Sequence, residues 1–380
     1  MMSYRAIIAG GGTGGHLYPA LSLAEALQQR AHSELEILFI GAQRGIESRI
    51  LPKKGIPHRL LPLEPIDRDR PWRNWRLLPS AIRSSYAIRQ VLKTFAPQLV
   101  VGTGGYAAGP VVAWAIAHRL RTAIQEQNSY PGLTTRWLAR WVDQLHLGYP
   151  EALKHLRPGR HTTVQVHGNP IRWPQSEPDP VAVRRELGLV GERIVLVVGG
   201  SQGSASINAA VLAALGAVQR GELPALPDGV QMLWSTGPTH FSEIARQLES
   251  VDRHGAVRAV PYIDEMEKSL SVTTLAVSRA GALALTEFCA WGIPLILIPY
   301  PYAANDHQTW NARALDEAGA AVLISDEVVS ADSHMLWRPM LDVLADGARR
   351  ARMSQAALAR GNRGAADQIA SDLLRLLEAR

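Results

Sequence analysis

The stretch "RIVLVVGGSQGSASINAAVLAAL", residues 193–215, starts as an apolar run, breaks at glycines and resumes with apolar residues at helical spacing. That pattern is a buried strand, a tight turn and a helix. The same plan stands at "RAIIAGGGTGGHLYPALSLAEAL", residues 5–27, about 190 residues earlier. A chain that restarts its fold midway holds two similar domains. Further apolar strands follow each start: "LEILFIG" (35–41) and "PQLVVGTGG" (97–105) after the first; "VQMLWST" (230–236), "AVRAVPYI" (256–263), "TLAVSRAG" (274–281) and "PLILIPY" (294–300) after the second. Strands that alternate with helices and are apolar throughout belong to parallel sheets covered on both faces. The expected class is α/β, with two Rossmann-like domains. The proline-rich "GNPIRWPQSEPDP" (168–180) marks the divide. The expected domains are 1–170 and 171–350, with terminal helices over 351–380 that pack back towards the first domain.

The chain has 380 residues, 47% of them hydrophobic, enough for two cores and unlike a disordered chain. One cysteine, Cys289, rules out an internal disulfide framework and fits a reducing compartment. "MMSYRAIIAGGG" runs straight into a strand and lacks the pattern of a signal peptide. Two uncharged stretches, Leu99 to His118 and Phe288 to Asn305, carry glycines or prolines in their middles, which suits strand–turn–helix units better than membrane spans. Residues 1–170 hold 21 Lys and Arg against 10 Asp and Glu, a net of +11, whereas the rest of the chain nets −5. A basic first half points to an anionic partner: nucleic acid, lipid headgroups or a phosphorylated substrate.

The first glycine turn matches G-x-G-x-x-G through Gly10, Gly12 and Gly15. In a dinucleotide fold an acidic residue ends the next strand and holds ribose hydroxyls. Here "LFIGAQRG" has no acid before Glu47, which argues against a nicotinamide oxidoreductase. Three glycine turns, 10–15, 102–105 and 199–203, stand at strand ends. Each alone is what any sharp strand-to-helix turn requires. Together, at the carboxyl ends of parallel strands, they predict a phosphorylated ligand. His16, at a helix start, carries an imidazole, a group suited to taking a proton from a hydroxyl. The other reading is a histidine that braces its own loop.

Seven segments then carry a resemblance. They are "GGTGGHLYPA" (11–20), "GTGGYAAGP" (102–110), "EQNSYPG" (126–132), "GNPIR" (168–172), "VVGGSQGS" (197–204), "SRAGALALTE" (278–287) and "NDHQTWNA" (305–312). In order and spacing the chain resembles the MurG family of bacterial N-acetylglucosaminyltransferases, across both domains. The resemblance implies the GT-B glycosyltransferase fold, with a cleft between its domains. It implies inverting transfer of GlcNAc from UDP-GlcNAc to the C4 hydroxyl of the MurNAc of lipid I, without cofactor or metal. The product is lipid II. It also implies a place on the cytoplasmic face of the cell membrane, with cell-wall synthesis proteins as partners.

Carried onto this sequence, the family pattern makes Ser201 a contact to the α-phosphate. Ile263 reads uracil through its backbone, and Glu287 holds the ribose hydroxyls. Ala282, Leu283, Ala284, Leu285 and Thr286 line the sugar and diphosphate. Gln308 and Asn128 read GlcNAc, Arg172 is a donor-site arginine, and Thr13, Gly14 and Gly15 complete the donor site. His16 is the expected base and Glu126 the second candidate. Asp67 and Asp69 imitate a metal-binding D-x-D, but no metal is expected there. The chain departs from the family at His167 and Tyr130, where smaller or aliphatic residues are usual. A UDP-GlcNAc 2-epimerase and a glycosyltransferase acting on diacylglycerol are alternatives on the same architecture.

One segment points to a membrane on its own terms. With 79–95 as a helix, Ala81, Ser84, Ile88, Val91, Leu92 and Phe95 fall on one face, and Ile82, Tyr86, Arg89 and Lys93 on the other. Trp72, Arg73, Trp75 and Arg76 stand just before it, and "RWLARW" (136–141) adds to the aromatic content. Apolar side chains among cations on an outward face suit an anionic bilayer surface. A solvated face or a nucleic-acid surface shares the composition, but no nucleic-acid module signature appears.

Overall fold

A computed structural model describes residues 4–64, 72, 75, 78–174, 176–252 and 255–379. The Asp67–Asp69 motif, Arg73, Arg76 and the side chain of Ala81 lie outside the described residues. The chain forms two compact units, residues 1–172 with 363–380, and residues 173–362.

The first unit opens with β1 (Tyr4–Ala9), α1 (Gly14–Arg30), β2 (Leu35–Ala42), α2 (Glu47–Lys53) and β3 (His58–Leu61). It continues with α3 (Leu78–Phe95), β4 (Leu99–Gly102), α4 (Gly105–Ala117), β5 (Arg121–Glu126), α5 (Leu133–Leu138), β6 (Gln144–Leu147) and β7 (Thr163–Gln165). The second unit holds α6 (Pro180–Glu186), β8 (Arg193–Val198), α7 (Ala205–Gln219), β9 (Val230–Ser235), α8 (Phe241–Val251), β10 (Val257–Val260), α9 (Met266–Ser271) and β11 (Thr273–Ser278). There follow α10 (Ala282–Ala290), β12 (Leu295–Leu297), α11 (His307–Glu317), β13 (Ala321–Leu323), α12 (Asp326–Ala331), α13 (His334–Ala345) and α14 (Gly347–Arg360). The last helix, α15 (Ala365–Glu378), rejoins the first unit. The expected tail of 351–380 is therefore split, because α14 packs on α10 and only α15 returns.

Among the described residues the first sheet runs β3-β2-β1-β4-β5-β6-β7 and the second β10-β9-β8-β11-β12-β13, all parallel. Each order reverses direction once, between β1 and β4 and between β8 and β11. The strand ends there are level: Ala9 pairs with Gly102, and Val198 with Ser278. Open parallel sheets bind ligands at such switch points, just beyond the strand carboxyl ends.

Both faces of the first sheet are covered. Leu17, Leu23 and Leu27 of α1 pack with Ile369, Leu373 and Leu377 of α15 on one face, and Ile88 and Leu92 of α3 with Val111 and Val112 of α4 lie on the other. Burying a side chain such as Ile369 or Leu373 contributes about 1.5–3 kcal/mol each. Arg121, on β5, donates to the carbonyls of Leu377 and Ala379, satisfying the exit of α15 with a cation that suits its dipole. On α3 the inward stripe is real for Ser84, Ile88 and Leu92, whereas Ile82, Tyr86, Arg89 and Lys93 are exposed. No helix of the described residues is long and apolar enough to cross a membrane.

Candidate functional site

The first switch point is built from the turns β1–α1 and β4–α4. The β4–α4 turn passes through Gly104 (φ +95°) and Gly105 (φ +77°), a left-handed pair that other residues adopt only with strain. A Cβ on Gly104 would lie 2.6 Å from His16 Nδ1. The turn thus gives up its side chains so that the imidazole can settle against it. There Nδ1 lies 3.0 Å from Gln127 Oε1 and 3.2 Å from the carbonyl oxygen of Thr103.

That geometry sets the tautomer. The carbonyl of Thr103 is only an acceptor. Gln127 turns its Nε2 to the carbonyls of Thr103 (2.8 Å) and Gln125 (3.0 Å) and to the side-chain oxygen of Gln125, so its Oε1 must face the histidine. With two acceptors against Nδ1, the neutral ring carries its proton there and keeps the Nε2 lone pair for chemistry. Asn169 closes the network, taking a bond from Gln125 Nε2 (2.9 Å) and giving one to the Gln127 carbonyl (3.0 Å). Gln125, Gln127 and Asn169 are all buried. Gln127 and Asn169 stand inside "EQNSYPG" and "GNPIR", where neither has an evident role from sequence alone. The signal was there: two amides flank Glu126 where an apolar strand would carry none.

Glu126 braces its own loop. Its Oε1 accepts from the backbone and side-chain nitrogens of Asn128 (3.1 and 3.3 Å), and its Oε2 from the Gly132 N–H (3.0 Å) and the Thr135 hydroxyl (2.6 Å). A buried carboxylate with four donors on it is occupied in shaping the loop that presents Asn128. Thr13 and Gly15 are exposed at the entry to α1, where the first N–H groups have no partner within the helix.

Glu47 answers the dinucleotide question. It is fully buried and accepts from the N–H groups of Gly12 and Ala42, each at 2.8 Å. An internal carboxylate therefore holds a glycine-loop amide that a pyrophosphate would need, and repels that anion as well.

Arg172 ends the longer segment of the first unit. Its guanidinium pairs with Glu25 at 2.8 Å, both exposed, within the first unit. Glu25 is eleven residues into α1, which puts the pair about 16 Å along the helix from the glycine turn. The arginine is thus engaged away from the loop that carries Thr13 and His16.

In the second unit the switch point lies between the turns β8–α7 and β11–α10. The turn before α7 is closed by a bond from the Gly203 N–H to the Gly200 carbonyl (2.9 Å), which leaves Ser201 and Gln202 exposed at its tip. Ser204 caps α7. Ile263 lies just after β10 and is buried. At the start of α10 the N–H groups of Ala282, Leu283 and Ala284 precede the first helical bond, which runs from Leu285 to Gly281. Leu285 is fully buried, and the Thr286 hydroxyl bonds back to the Ala282 carbonyl at 2.9 Å.

Gln308 has one fixed end. Its Oε1 accepts from the N–H groups of Ala280 (3.1 Å) and Tyr300 (2.9 Å), so its NH₂ group is the end that can donate to a ligand. The backbone just before it is strained, with Asn305 and Asp306 both at φ +53°. Such consecutive left-handed residues persist where surrounding bonds demand them.

Arg279, between β11 and α10, ties the second switch point together. Its guanidinium donates to the carbonyls of Ile298 (3.1 Å) and Pro299 (3.0 Å), to the hydroxyls of Ser204 (2.7 Å) and Ser206 (2.8 Å), and to Asp326. Four loops meet on one buried cation. An arginine inside "SRAG" carries no local sign of burial, so nothing in the sequence singles it out.

Glu287 is half-buried on α10, and burial, helped by Glu267, pushes its carboxyl up to about 7. Its ordinary value is near 4.5, so the native state binds a proton that the unfolded chain has lost between these two values. Stability then falls as pH rises from about 4.5 to 7, and the full penalty stands above 7. Glu287→Gln should unfold at a higher temperature than the parent at about pH 8, with the gap closing as pH falls towards 4.5. Scanning calorimetry across that range checks it. A gap independent of pH would show that the carboxyl is not the cause.

Models of the glycosyltransferase family 28 N-terminal and C-terminal domains match residues 6–147 and 194–369. The chain is 39% identical over 383 aligned residues, 99% of each chain, to a protein of Salinibacter ruber named UDP-N-acetylglucosamine--N-acetylmuramyl-(pentapeptide) pyrophosphoryl-undecaprenol N-acetylglucosamine transferase. A Halothermothrix orenii protein of the same name is 36% identical, with 92% of each chain covered. The chain belongs to the MurG family. A crystal structure of MurG from Acinetobacter baumannii shares the fold, with a TM-score of 0.74 at 24% identity over 98% of this chain and 99% of that one. Both MurG-family domains are thus present, and the fold is that of the GT-B glycosyltransferases.

Proposed function

We propose that this chain moves GlcNAc from UDP-GlcNAc to the C4 hydroxyl of MurNAc in lipid I and inverts the anomeric centre. The observation that carries the mechanism is the locked tautomer of His16, whose Nε2 is left as the acceptor. The acceptor oxygen attacks the anomeric carbon, the bond from that carbon to the diphosphate oxygen breaks, and UDP leaves with the electron pair. His16 Nε2 takes the hydroxyl proton, and the α-linked donor gives a β-linked product.

The second unit supplies the groups suited to the donor. The Ser201 turn and the first N–H groups of α10 meet the diphosphate with main-chain dipoles, which stabilise charge that grows as the bond breaks. Gln308 donates through its NH₂ group, Glu287 takes the ribose hydroxyls and the Ile263 backbone reads the base. In the first unit, Asn128 stands ready for the sugar on a loop shaped by Glu126.

The exposed Trp72, Trp75, Ile82 and Tyr86, with Arg89 and Lys93, form the surface for an anionic bilayer, where a polyprenyl acceptor is met. The protein is then peripheral to the cytoplasmic face of the membrane.

Incubation with radiolabelled UDP-GlcNAc and lipid I tests the reading. Label should pass into the lipid extract, and only when lipid I is present. Label that enters diacylglycerol instead, or stays in water as an interconverted nucleotide sugar, would replace the proposal with one of the rival activities.

A further inference from the structure

His167, a departure from the family pattern, has no part in the reaction above. Three side chains far apart in sequence meet around it: His146 on β6, His167 after β7 and Asp372 on α15. Each offers a ligand atom, and these atoms lie within 4.8 Å of one another. His146 is fully buried, and its Nδ1 has no hydrogen-bond partner. Its other nitrogen, Nε2, is 3.1 Å from Gln144 Oε1. Gln144 turns its own Nε2 to the Asp372 carbonyl at 3.1 Å, so its oxygen must face the ring. His146 therefore carries its proton on Nε2 and leaves a bare lone pair on Nδ1. A buried lone pair without a donor is costly and calls for an explanation. The arrangement is that of a metal-binding histidine, one nitrogen for the metal and the other held by an outer hydrogen bond.

We propose that His146 Nδ1, His167 and Asp372 form a site for a divalent transition metal, with zinc the best match, that fastens α15 to the β6–β7 edge of the first unit. The donor set is two imidazoles and one carboxylate, which suits zinc with a water as fourth ligand. Tetrahedral zinc holds its ligand atoms about 3.3 Å apart, given bonds near 2.0–2.1 Å. His167 Nε2 and Asp372 Oδ2 are now 2.7 Å apart, so they open slightly and a cation takes the place of the hydrogen they share. Arg375 pairs with the other oxygen of Asp372 and competes for it. The role is structural. His167 lies two residues before Asn169, so the metal also stiffens the loop that holds the amide network around His16.

The test uses the untagged full chain, stripped with a chelator, with Co²⁺ as a spectroscopic probe and Zn²⁺ for stability. One equivalent of Co²⁺ should give the visible absorption of a tetrahedral nitrogen and oxygen site. Zn²⁺ at a hundredfold excess over Kd should raise Tm by roughly 5–10 °C. His167→Gln and Asp372→Asn should abolish both effects. Arg375→Ala changes an exposed side chain, and it should tighten Co²⁺ binding several-fold by freeing Asp372. The proposal falls if the parent shows neither absorption nor a Tm shift, if the His167 and Asp372 variants respond like the parent, or if Arg375→Ala leaves Co²⁺ affinity unchanged.

Discussion

His16→Ala lowers GlcNAc transfer by roughly 100-fold or more, the scale expected when a positioned general base is removed. Most of the donor-binding groups named above belong to the second unit, so UDP-GlcNAc affinity should stay within a few-fold of the parent. The two measurements together separate a base from a brace. Single-turnover rates with saturating donor read the first, and calorimetric titration with UDP-GlcNAc reads the second. The hydrogen bonds make the expectation specific: with Nδ1 held by Thr103 and Gln127, only Nε2 remains to accept a proton. Near-normal turnover in the variant would remove the imidazole from the mechanism. Glu126, whose carboxylate already takes four donors, would then be the next group to test.

Arg279→Leu destabilises the second unit by about 3–5 kcal/mol, because it removes a buried cation from two carbonyls and two hydroxyls and leaves the half-buried Asp326 without its partner. For a unit of this size that is a fall in Tm of roughly 6–20 °C. Binding of UDP should weaken as well. Arg279 joins the Ser204 cap of α7 to the Ile298 and Pro299 backbone beside Tyr300, and Tyr300 in turn positions Gln308. Arg279→Lys should fall between the two, since an ammonium keeps the charge but not the planar set of donors. Thermal unfolding and UDP titration of both variants decide the matter. If Arg279→Leu unfolds within a degree of the parent and binds UDP as tightly, the hub is not what holds these loops.

Much of the fold could be read from the chain because the signals are local. The apolar strands "AIIAG" and "RIVLVV", each followed by glycines and a helical stripe, announce themselves within a short window. The short strands β3, β6, β7 and β13 span three or four residues each, and several carry His, Arg or Gln, so neither length nor hydrophobicity separates them from loops. The longer β5, RTAIQE, mixes polar with apolar residues and is hidden for the second reason. Site residues divided in the same way. Backbone-dependent ones, such as Ser201 at a turn tip and Ala282 at a helix start, follow from the motif. Leu285 and Thr286 share the same motif but turn inward, and Arg172 is drawn to Glu25 by a contact the motif does not contain.

The amino-acid sequence by itself determined that two strand–turn–helix units recur, that their turns are glycine-built, and that a histidine opens the first helix. These features depend on backbone freedom and on side-chain periodicity, which act between near neighbours. Only the tertiary structure decided that β1 meets β4 and β8 meets β11, which sets each glycine turn beside another. Only it decided that Gln127 and Thr103 leave His16 a free Nε2, that Glu126 braces its own loop, and that residues 146, 167 and 372 converge. Those outcomes rest on hydrogen bonds between groups many residues apart, and such pairings exist only once packing has brought the strands and helices together.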